Sequence, residues 1–395
     1  MSYISRFLVP IFEMGAKAIS FVVIILLTRI ISVEDYGVYS FSIAIASWFT
    51  VFADMGVGWY AFNNAVKKDS SLLDLSINSR LFQSLFVLFV IPLLFFGTTN
   101  SFLITFLVTF FFLNTGFVKF LQTMFRGLEE SRNDIILVSS EPLARLVLMI
   151  VLYVFKIEVT LLQVCVGFSL IGLVLTIIFL AINLKKLNFK LFIPPLKDYI
   201  SLIGKTKYYF LYQFFQVGIG RMDIFFLEKY FDFKQVAYFY SAYNLYNAAT
   251  LFVLAYITVN LKSLFSKIRF KYFLLFLAVN IILIIVYNNY LKNLYTIIYP
   301  KDYELGSSIL AIIGLALPFY AGYQLKLFHN NYKNRTLNTV IVFAIAFCLK
   351  ILIYFVLNAS SLYFVAIVFA TFEAIIFLLI FGMHKFRKNN ENTSS

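Results

Sequence analysis

About twelve apolar stretches, each roughly 20 residues long and joined by short polar loops, run through almost the entire chain. A bilayer core about 30 Å thick is crossed by about 20 residues of α-helix rising 1.5 Å each, so each stretch is long enough to span it. The spans read as 7–31, 38–62, 81–96, 102–121, 135–155 and 161–182, then 208–227, 236–260, 271–288, 305–325, 337–357 and 362–383. Little sequence remains for a soluble catalytic domain. With 62% hydrophobic and only 13% charged residues, the chain lies far from the globular norm of about 25% charged. The expected fold is all-α: a polytopic membrane protein of about 12 transmembrane helices in two six-helix halves around a central cavity. Arg6 precedes the first apolar run, as in a signal peptide, but the run carries Glu13 and Lys17 and no small-residue cleavage site follows, so it reads as a retained helix.

Charge sets the orientation, because Lys and Arg collect in short cytoplasmic loops. Placing the N-terminus inside puts 23 of the 33 Lys and Arg residues on the cytoplasmic side, Arg80, Lys119 and Arg126 among them, and six outside. The remaining four fall within spans. Both termini are thus expected in the cytoplasm. The same asymmetry accounts for the net charge of +14, so no nucleic-acid partner is needed to explain it.

The longest interior polar connection, 183–207, carries six lysines and the Pro194-Pro195 pair near the chain midpoint. It divides the chain into an N-terminal bundle, 1–190, and a C-terminal bundle with a cytoplasmic tail, 191–395. An offset of 200 residues lays Leu27–Ser32 over Leu227–Asp232 and Val38-Tyr39 over Tyr238-Phe239. Two halves with even span counts share a topology and are related by an axis along the membrane normal, which places a substrate pathway between them.

Nine ionisable side chains fall at membrane depth: Glu13, Lys17, Asp54, Glu141, Arg145, Arg221, Asp223, Lys350 and Glu373. Facing lipid, each would cost about 2.5–3.5 kcal/mol, so their presence argues for a protein-lined or watered cavity. Lys17 and Lys350 lie about ten residues or more from either end of their spans, too deep for easy snorkelling. Glu13 and Lys17 are four apart, as are Glu141 and Arg145, so either pair is placed to neutralise itself on one helix face. Lys350 has no local carboxylate, which leaves it a ligand or a distant partner such as Glu373. Arg221 and Asp223 are about 200° apart around a regular helix and cannot both face one cavity.

Aromatic residues make up 19% of the chain. Tyr240 and Tyr243, in the crowd that opens the eighth span, offer either sugar-stacking surfaces or an interfacial belt. Gly204-Lys205-Thr206 is not the end of a phosphate-binding loop, since Tyr199 stands where that motif needs glycine. Catalytic serine, zinc-protease and Cys/His ligand patterns are missing too, and Cys165 and Cys348 fall inside spans. Neither an enzyme nor a cofactor or metal site is expected.

The run Leu27-Thr28-Arg29-Ile30-Ile31-Ser32-Val33-Glu34-Asp35-Tyr36-Gly37-Val38-Tyr39, with Phe52-Ala53-Asp54-Met55-Gly56 after it, resembles the opening of Wzx-type polysaccharide flippases of the multidrug/oligosaccharidyl-lipid/polysaccharide exporter superfamily. Arg221-Met222-Asp223 and Val236–Ala242 are similar to that family's seventh-helix acid and eighth-helix Tyr-x-x-Ala pattern. The resemblance implies a bacterial inner-membrane protein that moves undecaprenyl-diphosphate-linked oligosaccharide from the inner to the outer leaflet by alternating access, for O-antigen or related surface polysaccharide. It implies Lys17, Arg145, Arg221 and Lys350 as cavity cations for the diphosphate. Glu13, Asp54, Glu141, Asp223 and Glu373 would be the cavity or coupling carboxylates, with Tyr240 and Tyr243 for sugar stacking. Coupling to a proton or sodium gradient, contact with membrane lipid, and a polysaccharide polymerase and chain-length regulator as partners come with the same resemblance. A multidrug exporter of the same fold and a membrane polysaccharide polymerase are the alternatives.

Overall fold

The computed structural model describes residues 3–67, 69–95, 101–186, 190–259, 293–332, 336–357 and 361–393. Among these residues no strand occurs, and regular structure is helical throughout. The N-terminal helices are α1 (Tyr3–Ile30), α2 (Val33–Asp54), α3 (Val57–Lys67), α4 (Ser70–Phe95), α5 (Phe102–Gly127), α6 (Ser131–Val154), α7 (Leu161–Lys186) and the 35-residue α8 (Leu196–Tyr230). After them come α9 (Phe233–Val259), α10 (Leu305–Gly314), α11 (Leu317–Tyr332), α12 (Thr336–Leu357) and α13 (Leu362–Thr393). Eight described helices are long and apolar enough to cross a membrane, or nine if α10 and α11, bent by 41° at a short break, count as one span. That bend has a local cause, because Pro318 has no N–H to return to the Gly314 carbonyl.

Most expected spans correspond to helices, with informative differences. The span expected at 38–62 is cut: α2 ends at Asp54, and Met55 (φ 43°) and Gly56 (φ 76°) turn the chain into α3. A Cβ on Gly56 would lie 2.8 Å from the Thr206 carbonyl oxygen and 2.9 Å from the Phe210 nitrogen of α8. Only glycine meets both the left-handed backbone and that close approach. The span expected at 81–96 begins earlier, since α4 starts at Ser70. The span expected at 208–227 falls within α8, and that expected at 236–260 corresponds to α9 as far as Val259. The span expected at 271–288 lies outside the described residues.

Packing divides the chain into two compact units, Met1–Val217 and Gly218–Ser395. The division falls inside α8, not at the sequence boundary of 190/191, because the polar connection and the first half of α8 are docked on the first unit. Asn78 of α4 donates to the Lys190 carbonyl at 2.9 Å and accepts from the Phe192 N–H at 3.0 Å. Pro195 opens α8, its carbonyl accepting the Tyr199 N–H, and Leu202 and Thr206 are buried one turn further on. The described end of the connection is therefore anchored on the first unit.

In the first unit, α5 packs against α2, α3, α6 and α7, around a core that includes Phe117, Leu121, Phe125 and Leu137. In the second, α13 packs against α10, α11 and α12. Outward faces are apolar at helical spacing: Leu143, Val147, Ile150 and Val154 on α6, and Val166, Leu170, Val174 and Ile177 on α7. In water such stripes would be a liability, and they suit acyl chains instead.

The 200-residue offset is a structural repeat at its best-matched point. One helix ends at Ile30 and the next begins at Val33; one ends at Tyr230 and the next begins at Phe233. Each break is capped two residues on: the Ser32 Oγ accepts the Asp35 N–H at 3.1 Å, and an Asp232 carboxylate oxygen accepts the Gln235 N–H at 2.9 Å. Burial repeats as well, with Tyr36 and Tyr39 covered in one unit and Val236 and Phe239 in the other.

Candidate functional site: a cationic cavity in the N-terminal unit

A cavity of about 510 Å³ lies within the first unit. Its walls include Thr50 and Asp54 of α2, Trp59 and Phe62 of α3, Arg80 of α4, Gln213 of α8, and Gly116, Lys119, Thr123 and Arg126 of α5. The α5 residues recur at spacings of three and four, which puts them on one helix face. The cavity thus carries three basic side chains against one carboxylate.

Arg80 is the most constrained of them. Its side chain is 3% exposed, and its Nη1 lies 3.8 Å from the Asp54 Oδ1, at the limit of an ion pair. Neither Nε nor Nη1 has a hydrogen-bond partner. A guanidinium buried with unmet N–H directions carries a desolvation cost that nothing nearby offsets in full. Gly116 leaves it room: a Cβ there would stand 3.1 Å from the Arg80 Nη2. Arg126 is held differently, its Nε 3.0 Å from Asp134 and its Nη2 3.1 Å from Glu13. Gln122 donates to the same buried Asp134 at 2.8 Å. These contacts fix the Arg126 fork at the cavity wall. Lys119 is exposed beside it, within electrostatic reach of Glu13, Lys17, Glu141 and Arg145.

The N-terminal residues singled out from sequence therefore gather in one region. Glu13 and Lys17 are 3.6 Å apart on α1, and Lys17 remains 43% exposed. Glu141 and Arg145 form a tight pair on α6, next to Pro142. Arg145 also approaches the Ser20 hydroxyl at 3.4 Å and lies over the rings of Phe111 and Phe168 at 5.2 and 5.5 Å. The two acid-first pairs are thus formed.

The C-terminal residues form a separate, closed arrangement. Lys350 of α12 is 1% exposed and donates to Asp223 at 2.7 Å and to the Ile219 carbonyl at 2.8 Å. Tyr354, one turn along, donates to the other Asp223 oxygen, and Phe369 and Phe372 rings cover the ammonium. The salt-bridge partner of Lys350 is therefore Asp223, not Glu373. Arg221 points elsewhere, over Tyr240 at 5.8 Å and Tyr243 at 5.7 Å, as the two-residue spacing requires. Tyr240 is buried and Tyr243 is half-buried against Tyr246 and Phe369, so neither presents an open ring. Glu373 is buried on α13 with one carboxylate oxygen unbonded. Among the described residues no cluster of His, Cys, Asp and Glu fits a metal.

Sequence reasoning missed Trp59, Arg80, Lys119 and Arg126 as site residues. The three cations read as cytoplasmic because Arg80 precedes a span expected from 81, Arg126 follows one expected to end at 121, and Lys119 stands two residues inside that end. The signal was present in two places: apolar residues continue upstream of Arg80 through Ile77, Leu75 and Leu73, and the Gly116–Arg126 face keeps helical spacing.

A chain of long apolar helices in two units, one holding a charged cavity, has the build of a membrane transporter. Solved structures agree at the level of fold. A lipid II flippase in an inward closed conformation matches with a TM-score of 0.68 at 16% identity, over 96% of this chain and 87% of that one. A multidrug-resistance transporter in an inward-facing conformation matches with a TM-score of 0.67 at 14% identity, over 99% of both chains. A related transporter from Pyrococcus furiosus, whose binding pocket is described as reversed in polarity, matches at 0.64 and 13% identity, over 96% and 94%. Among curated proteins none matches in sequence. The chain belongs to the polysaccharide biosynthesis protein family, whose model matches residues 7–267, and its fold is that of the multidrug/oligosaccharidyl-lipid/polysaccharide exporter superfamily.

Proposed function

We propose that this protein is a flippase for an undecaprenyl-diphosphate-linked oligosaccharide, carrying it from the cytoplasmic to the outer leaflet of a bacterial inner membrane for surface polysaccharide assembly, O-antigen included. The observation that carries the reading is Arg80, buried beside the cavity with two N–H directions unbonded, together with Lys119 and Arg126. A diphosphate crossing apolar lipid unaided loses its hydration without replacement. Here its oxygens would take up charge-assisted hydrogen bonds that Arg80 lacks, while the polyprenyl tail stays in acyl chains. Lys17 lies in the same region and would extend the cationic approach. The ion pairs of Arg145 and Lys350 suit a structural role better. Asp54, the carboxylate at the cavity, is the first choice for coupling to a proton or sodium gradient. Both termini would lie in the cytoplasm, and a polymerase with its chain-length regulator would use the product.

Deleting the gene tests this. Loss of surface polysaccharide with build-up of inner-leaflet lipid-linked repeat units is expected; intact polysaccharide without build-up would refute the assignment. The likeness to multidrug transporters favours drug export as a second reading, which an excess of cavity cations does not suit, since cationic drugs call for carboxylates. Unchanged drug susceptibility in the deletion strain is expected. Chain elongation by the purified protein would instead support a polymerase.

A further inference from the structure

We infer that Trp59 is the stacking platform for the sugar nearest the diphosphate, an inference that rests on the flippase reading above. Trp59 lies on α3, lines the same cavity as Arg80 and Lys119, and is 44% exposed. One face of its indole is already backed by Tyr209 of α8, with centroids 5.9 Å apart and planes 15° from parallel. Phe62 meets it edge-on at 6.4 Å. The ring is thereby fixed in orientation, and a fixed aromatic surface loses little conformational freedom when a ligand lands on it. A pyranose has an apolar C–H face and a rim of hydroxyls. Its C–H face matches an indole, and Asp54 and Gln213, on the same cavity, supply an acceptor and an amide for the rim. Cations alone would suit a bare diphosphate, but a backed tryptophan beside them suits a sugar phosphate.

Tyr240 and Tyr243, the tyrosines that the sequence offers for stacking, lie in the other unit beneath Arg221. Trp59 has the open surface that they lack. An exposed tryptophan is also a common interfacial anchor, and the test must separate the two roles.

The chain has two tryptophans, and the other, Trp48, packs on Phe214 at 4.7 Å. A Trp48→Phe protein therefore reports on Trp59 alone. Calorimetric titration with farnesyl diphosphate and with farnesyl-diphosphate-linked N-acetylglucosamine separates the two parts of the site. Both probes are expected to bind, the conjugate about 2- to 10-fold tighter and with a change in Trp59 fluorescence, the range that an aromatic contact of about 0.5–1.5 kcal/mol gives. Trp59→Leu is expected to leave farnesyl diphosphate binding intact and abolish the extra affinity of the conjugate, and Trp59→Phe to recover part of it. If Trp59→Leu keeps the parent's ratio between the probes, the residue is an anchor and the platform is refuted. If neither probe binds the parent protein, the diphosphate reading itself fails and the platform fails with it.

Discussion

Replacing Arg80 by Gln removes the guanidinium charge while retaining a polar side chain, and its effect follows from the geometry. At the cavity wall Arg80 has no hydrogen bond at Nε or Nη1 and a long 3.8 Å pair with Asp54. An anion that meets those two N–H directions forms bonds of the charged kind, each contributing about 1.5–3 kcal/mol. At about 1.4 kcal/mol per tenfold, losing one of them weakens binding by roughly 10- to 100-fold. Because the substitution also strips Asp54 of its counter-ion, Arg80→Gln/Asp54→Asn serves as the folding control and is expected to bind as weakly as the single variant. Binding is read as calorimetric affinity for farnesyl diphosphate, and transport as recovery of surface polysaccharide in a deletion strain. An affinity within about twofold of the parent, in a folded protein, would refute the assignment of Arg80 to the anion.

Gly116→Val should push the Arg80 guanidinium, since a Cβ alone would stand 3.1 Å from Nη2; a several-fold loss of farnesyl diphosphate affinity without loss of thermal stability is expected in titration and melting measurements. Gly56→Ala forces a side chain into the left-handed region and onto the α8 backbone, and the conformational part alone costs about 1–3 kcal/mol, visible as a lower unfolding midpoint in detergent. Lys350→Met leaves the Asp223 carboxylate buried without its cation, at a cost of about 3–5 kcal/mol, whereas Lys350→Met/Asp223→Val should regain most of the lost stability. A single variant that melts like the parent would show that the pair is not structural.

The succession of apolar stretches made the helical membrane fold legible, and the break at Ile31-Ser32 could be placed because the same pattern returns 200 residues later. The site was harder to read. Hydropathy rises late in this segment, and polar residues such as Asp74, Asn78 and Arg80 mask the first turns of α4. Glu13 and Lys17 stand out because they interrupt an otherwise apolar run; Lys119 and Arg126 sit near the end of one, where a cation reads as part of the loop. The partner of Lys350 was invisible for another reason. Asp223 is 127 residues away, and only packing of α12 against α8 brings the two together. Trp59 could be recognised as a cavity residue only once the Met55-Gly56 elbow had turned α3 away from the line of α2.

The doubled helix break makes the protein its own paralogous control. Carried back along α1 and α8, the same register sets Val23 against Asp223, and both are sealed from solvent. A shared scaffold that accepts valine at this position in one copy does not require a carboxylate there in order to fold. In the second copy that carboxylate is neutralised in place by Lys350 and Tyr354, whereas the first unit holds an arginine with bonding capacity to spare. One repeat thus satisfies its buried charge within itself, and the other leaves buried N–H groups of a cation unsatisfied.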